Sequence, residues 1–138
     1  MRKCDGDNAT FQARFHGSPL LTIPSGETAG SADMFLTADR FLDGGQAIAW
    51  GAKPGDKMTF QVIDPGYIPE EYRGPEWPVL DEWVTDLNAP TVDGLPIEVK
   101  VDYKGFVNAG LGLRLKGTTD GTSEVKMAAN YWLHERIL

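Results

Sequence analysis

Leu111-Gly112-Leu113-Arg114-Leu115-Lys116, then Gly117-Thr118-Thr119-Asp120-Gly121-Thr122-Ser123, then Val125, Met127, Ala129, Tyr131 and Leu133 at every second position: this closing stretch decides the fold class. A period of two places one set of side chains on a buried face and the other in water, which is the pattern of a half-buried strand. Asp-Gly between two such runs is a turn signal, because Gly tolerates positive φ and Asp does so better than most residues. The stretch therefore predicts two antiparallel strands joined as a β-hairpin.

Working outward, the same alternation recurs. Ile97, Val99, Val101 and Tyr103 alternate with Glu98, Lys100 and Asp102, and Lys104 to Gly110 links that strand to the closing pair. Met58, Phe60 and Val62 alternate with Thr59 and Gln61, predicting a strand over 57–63 after a turn at Ala52-Lys53-Pro54-Gly55-Asp56. Gln46 to Trp50 reads as another strand. Residues 33–45 read as a strand followed by a turn at Gly44-Gly45 rather than a short helix, and Leu80 to Thr85 as a strand or a helical turn. Seven or eight short strands, with turn residues at intervals of about ten, predict an all-β antiparallel sandwich of jelly-roll type.

Residues 1–31 are polar and rich in Gly, Ser and Thr, interrupted by two apolar pieces carrying Phe11, Phe15, Leu20, Leu21 and Ile23. Pro19 and Pro24 favour extended backbone and argue for edge strands or an extended arm. These apolar residues either complete the domain's own core or add a strand to a neighbouring subunit. The domain proper is accordingly expected over 32–138.

The 138 residues make one domain, with 41% hydrophobic content typical of a globular chain and a formal charge of −7. The thirteen basic residues are scattered, so no face is expected to neutralise phosphates, and nucleic acid is excluded as a direct ligand. Cys4 is the one cysteine and has no internal disulfide partner. Polar Asp5 to Asn8 after the basic start, and the lack of any apolar window of spanning length, predict neither a signal peptide nor a membrane segment.

No reacting constellation stands out. Ser25 lies outside a nucleophile elbow, and Cys4 lies in a polar terminus. His16 and His134 are far apart in sequence, and no glycine-rich phosphate loop precedes a helix. Asp5-Gly6-Asp7-Asn8 and Asp39 to Gly44 offer carboxylates without the spacing of a Ca²⁺ loop. Glu70, Glu71, Glu76, Asp81 and Glu82 lie among aromatics, as the acid and base of a glycoside hydrolase would, although adjacent carboxylates on a strand face opposite sides. The expectation is a protein without catalytic residues, cofactor or metal.

The region from Tyr67 to Trp83 is rich in proline and aromatics. Proline lowers the entropic cost of holding Tyr67, Tyr72, Trp77 and Trp83 in place, where they either cover one end of the core or face a partner or a sugar.

Leu36-Thr37-Ala38-Asp39-Arg40-Phe41-Leu42-Asp43-Gly44-Gly45, Gly55-Asp56-Lys57-Met58-Thr59-Phe60-Gln61-Val62-Ile63-Asp64, Leu111-Gly112-Leu113-Arg114-Leu115 and Asn130-Tyr131-Trp132-Leu133-His134 together resemble small tailed-bacteriophage virion structural proteins of the capsid decoration (cement) or head-appendage type. The resemblance covers about residues 33–138, and the insert at 65–79 departs from it. It implies a structural protein made in the host cytoplasm and carried on the virion surface, bound to the major capsid protein or other virion proteins and self-associated as a trimer. The alternatives are a carbohydrate-binding sandwich or a tail or head-fibre appendage using residues 67–83, with a glycan as partner.

Overall fold

A computed structural model of the chain describes residues 11–17, 20–66, 77–87 and 96–136, with backbone alone for 11–17 and 135–136. The described residues form nine strands: β1 (Phe11–Gly17), β2 (Leu20–Ile23), β3 (Ala29–Phe35), β4 (Arg40–Trp50), β5 (Lys57–Ile63), β6 (Val79–Asp86), β7 (Ile97–Val107), β8 (Gly112–Thr118) and β9 (Val125–Arg136). None of the described residues is helical, so no helix among them is long and apolar enough to cross a membrane.

The strands make two antiparallel sheets. In sheet A, β1 and β2 lie along one side of β9, followed by β4 and then β7; sheet B runs β3, β8, β5, β6. From β2 to β5, and again from β6 to β9, each strand lies in the sheet opposite its predecessor. That alternation is the jelly-roll arrangement.

This topology overturns the expected hairpin at the C-terminal end. β8 and β9 do not pair with one another: β8 lies between β3 and β5, and β9 between the N-terminal strands and β4. The turn at Asp120-Gly121 is real. Gly121 has φ +80°, and the Asp120 carboxylate accepts hydrogen bonds from the Thr122 amide at 3.0 Å and its hydroxyl at 2.7 Å. The turn, however, sits in an arch from one sheet to the other. Alternation dictates which face of a strand is buried, and that face is satisfied equally by a neighbour in its own sheet or by the sheet opposite. Residues 119–124 are long enough to cross the spacing of about 10 Å between packed sheets. Leu113, Leu115 and Gly117 of β8 consequently face Met127, Ala129 and Tyr131 of β9 through the core, with Gly117 so close to Met127 that a Cβ there would lie 2.6 Å from its sulfur.

Two further expectations change. Gly44-Gly45 does not end a strand; β4 runs through it as a bulge, with shifted register against both neighbours. Gly44 has φ +76°, and a Cβ on Gly45 would stand 2.2 Å from the Asn130 carbonyl oxygen. The extra residue lets Asp43 and Gln46 both point outward, so β4 buries Leu42 before the bulge and Ala47 and Ala49 after it.

At the N-terminal end, β1 and β2 are, among the described residues, edge strands of sheet A and not an extended arm. From Ala13 opposite Glu135 to Gly17 opposite Tyr131, and from Leu20 opposite Ala128 to Ile23 opposite Val125, β1 and β2 keep one register along β9. Leu21 and Ile23 are buried in the domain's own core, and the expected boundary between residues 31 and 32 falls inside β3. The expected turn at residues 53–56 is present: the Asp56 amide donates to the Lys53 carbonyl at 3.0 Å, with Gly55 at φ +98°.

The core fills the space between the sheets, from Leu42, Ala49, Val101, Met127 and Tyr131 on one side to Met58, Phe60, Leu113 and Leu115 on the other. The Tyr131 ring meets Phe60 edge-on at 6.3 Å, yet its hydroxyl is buried with no hydrogen-bond partner among the described residues. Burial, reinforced by the negative charge of Asp33, holds the phenol far above its ordinary ionisation range. An unpaired buried hydroxyl is a cost, and phenylalanine has the same shape without it. Tyr131→Phe is therefore expected to raise the unfolding free energy by about 1 kcal/mol in urea titrations; a loss of stability would mean that the hydroxyl is hydrogen-bonded.

Candidate ligand-binding face

The outer face of sheet A carries the side chains that alternate away from the core on β4, β7 and β9. Register places them in rows. Ile48 lies between Glu98 on β7 and Ala128 on β9, with Leu20 of β2 beyond Ala128; Gln46 lies between Lys100 and Asn130. Trp132, two residues beyond Asn130 on the same face of β9, stands at the end of these rows. All of these but Leu20 line a hollow of about 420 Å³, within the size range of small-ligand sites.

The chemistry of this hollow is mixed in a definite way. Its floor is apolar, from Ile48 and Ala128, and the half-buried Trp132 indole forms a wall. Gln46 and Asn130 contribute an amide each, able both to donate and to accept, while Glu98 and Lys100 contribute one charge of each sign. The lysines described on the face stand near carboxylates: Lys100 Nζ is 3.6 Å from Asp102, Lys126 Nζ is 4.0 Å from Glu124, and Lys104 Nζ is 3.3 Å from Asp43, which His134 Nε2 also approaches at 3.3 Å. The exposed lysine pairs add little stability, but they match the lysine charges beside the hollow with carboxylates.

The carboxylates considered for hydrolysis are not gathered into a site. Asp81 and Glu82 are adjacent on β6 and engage different partners, Asp81 accepting from the Tyr103 hydroxyl at 2.7 Å and Glu82 from the Gln61 amide at 2.8 Å. The Tyr103 bond and the Glu82 amide hold the Asp81 carboxyl below its ordinary range, while burial and Asp81 raise the Tyr103 phenol. The pair ties β6 of sheet B to β7 of sheet A, the outermost strands on that side among the described residues. Glu70, Glu71 and Glu76 lie outside the described residues.

The other sequence candidates scatter. Asp39 accepts the Ala109 amide at 2.8 Å and Asp43 holds Lys104, so neither is drawn toward the other. His16 and His134, remote in sequence, come to adjacent strands, His134 opposite Arg14. No group of three His, Cys, Asp or Glu among the described residues is placed to hold a metal ion.

Of the interface candidates, Leu21 and Ile23 are core residues, whereas Leu20, at 64% exposure, stands on the outer face of sheet A. Phe11 and Phe15 lie on β1, with only backbone described, and Tyr67 and Tyr72 lie outside the described residues. Trp83 packs on Phe60 at 5.3 Å against the core, the first of the two places open to it from sequence, and so is not available as an interface anchor. Trp77 lies over the outer face of sheet B, edge-on to Phe35 at 5.3 Å and beneath the Arg114 guanidinium at 5.3 Å. Arg114 is itself fixed by Asp33 at 2.8 Å. The aromatic segment thus divides: Trp83 closes the core, and Trp77 covers the outside of sheet B.

Gln46, Ile48, Glu98, Lys100, Asn130 and Trp132 do not stand out in the sequence. A signal is present, since Ile48 and Trp132 are large apolar residues on the solvent phase of alternating strands, out of step with Ala47, Ala49, Tyr131 and Leu133. What the sequence lacks is that β4 runs beside β9.

No protein-family model matches the chain, and no curated protein matches it. Among solved structures it is similar to that of TmCBM61 in complex with beta-1,4-galactotriose, at 11% identity, over 95% of this chain and 93% of that chain, with a TM-score of 0.30. A likeness of that degree adds nothing to the strand order described above.

Proposed function

We propose that the chain is an adhesive module without turnover, and that the outer face of sheet A binds a glycan in the hollow beside Trp132. The observation that carries this reading is the conjunction of an indole wall, an apolar floor and two amides within one hollow. A sugar ring has an apolar face of C–H groups and an equator of hydroxyls. The first suits an aromatic surface and the second suits amides that donate and accept. Trp132→Ala is expected to weaken glycan binding by about tenfold or more, about 1.4 kcal/mol, in calorimetric titrations, with the circular dichroism spectrum unchanged. An intact protein that retains no ligand on a broad glycan array would remove this reading.

A second reading, a phage virion structural protein that decorates the capsid, draws support from a different surface. Val79, Leu80 and Val84 are exposed apolar side chains on β6, an edge strand of sheet B among the described residues. Such an edge suits burial against another chain. Deleting residues 1–31 does not test this reading, because the deletion removes Leu21 and Ile23 from the core. A mass-spectrometric inventory of purified particles does, together with the oligomeric state by sedimentation; a monomer absent from particles would end it.

A further inference from the structure

Resting on the glycan reading, we propose that the ligand is a neutral, linear oligosaccharide lying along the strands of sheet A, held near one end by Trp132 and near the other by Trp50. Trp50 follows Ile48 by two residues on β4 and shares its outward face, and its register partner on β9 is Lys126. Trp132 is six residues further along β9 than Lys126. At about 3.3 Å per residue, the two indoles stand roughly 20 Å apart along the strand direction. The hollow, with Ile48, Ala128, Gln46 and Asn130, lies between them. One sugar ring reaches only one of the two indoles; a chain of several rings reaches both. Trp50 is 40% exposed, and Leu20 widens the apolar floor beside Ala128.

The character of the face selects the occupant. Both backbone edges of β4 are hydrogen-bonded, to β9 and to β7, so a peptide laid over the floor of the hollow finds no strand to extend there. The lysines beside the hollow stand near carboxylates, Lys100 near Asp102 and Lys126 near Glu124, and the chain as a whole carries −7. A polyanion is therefore repelled by the whole chain, and beside the hollow it meets the Glu98 carboxylate and lysines that already stand near carboxylates. Separated aromatic surfaces with amides between them match an uncharged, hydroxyl-rich polymer better than they match a protein surface, which would require one continuous apolar patch.

The test is calorimetric titration with neutral β-1,4-linked gluco- and galacto-oligosaccharides, from monosaccharide to hexasaccharide, with oligogalacturonate as the acidic counterpart. Affinity is expected to rise about tenfold or more with chain length and then level off once both indoles are engaged. Trp50→Ala is expected to abolish that rise while leaving the affinity for the shortest binding sugar unchanged, and Trp50→Phe to restore part of it. Trp132→Ala is expected to weaken every length. Length-independent affinity, or a rise that survives Trp50→Ala, would overturn the two-indole placement while leaving a glycan bound at Trp132. A preference for oligogalacturonate would overturn the neutral assignment. Silence toward every sugar would remove the glycan reading itself and this inference with it.

Discussion

Phe60→Ala is expected to lower the unfolding free energy by about 3–5 kcal/mol, the range for deleting a large aromatic side chain from a core that cannot collapse around the space. Phe60 is 1% exposed on β5, stacked at a tilt on Trp83 and met edge-on by Tyr131 from the opposite sheet. It therefore joins three strands, β5, β6 and β9, drawn from both sheets. Truncation leaves Trp83 and Tyr131 each without a facing ring, and neither can move inward without pulling its strand out of register. A urea unfolding midpoint displaced by less than a kilocalorie-per-mole equivalent would mean that the sheets do not pack on this ring.

Gly45→Ala is the second large effect, and its cause is backbone crowding and not a lost contact. A Cβ at this position would lie 2.2 Å from the Asn130 oxygen and 3.1 Å from Tyr131 Cα, both main-chain atoms of the adjacent central strand. No rotamer relieves such an overlap, so β9 must shift away from β4 at the middle of sheet A. The expected cost is about 3 kcal/mol or more, at the upper end of overpacking effects. Because Asn130 and Trp132 belong to the displaced stretch, the protein that does fold is also expected to bind the proposed glycan more weakly. Gly55→Ala is the control: Gly55 has a positive φ but nothing within 4 Å of where an alanine methyl would stand, so it tests dihedral strain without the clash. Equal stability losses for the two variants would refute the crowding argument.

The strands themselves are legible because each buries one face. Lys57–Ile63 and Gly112–Thr118 coincide with runs whose apolar residues recur at every second position, while β7 continues past its run into the expected link as far as Val107, and β9 past Leu133 to Arg136. The centre of β4 misleads, since Gly44-Gly45 is equally suited to ending a strand and to bulging one, and the difference lies in a neighbouring carbonyl that the local sequence does not contain. The aromatic segment reads as a unit in the sequence, whereas Trp77 and Trp83 go to opposite faces of sheet B. Their separation follows from a register shift between β5 and β6 at Val62 and Ile63, which no spacing of aromatics announces.

The candidate face shows the same division more sharply. Its residues come from three stretches of chain, around 46–50, 98–100 and 128–132, none of which carries a recognisable motif. Side-chain alternation along one strand is a local property set by backbone geometry, so the sequence alone determined the all-β class, most strand positions and which side of each strand meets water. Pairing is a property of two distant segments competing for the same edge. Only the tertiary structure, by sending β8 and β9 into opposite sheets and setting β4 beside β9, decided that Trp132, Gln46 and Ile48 would share one surface.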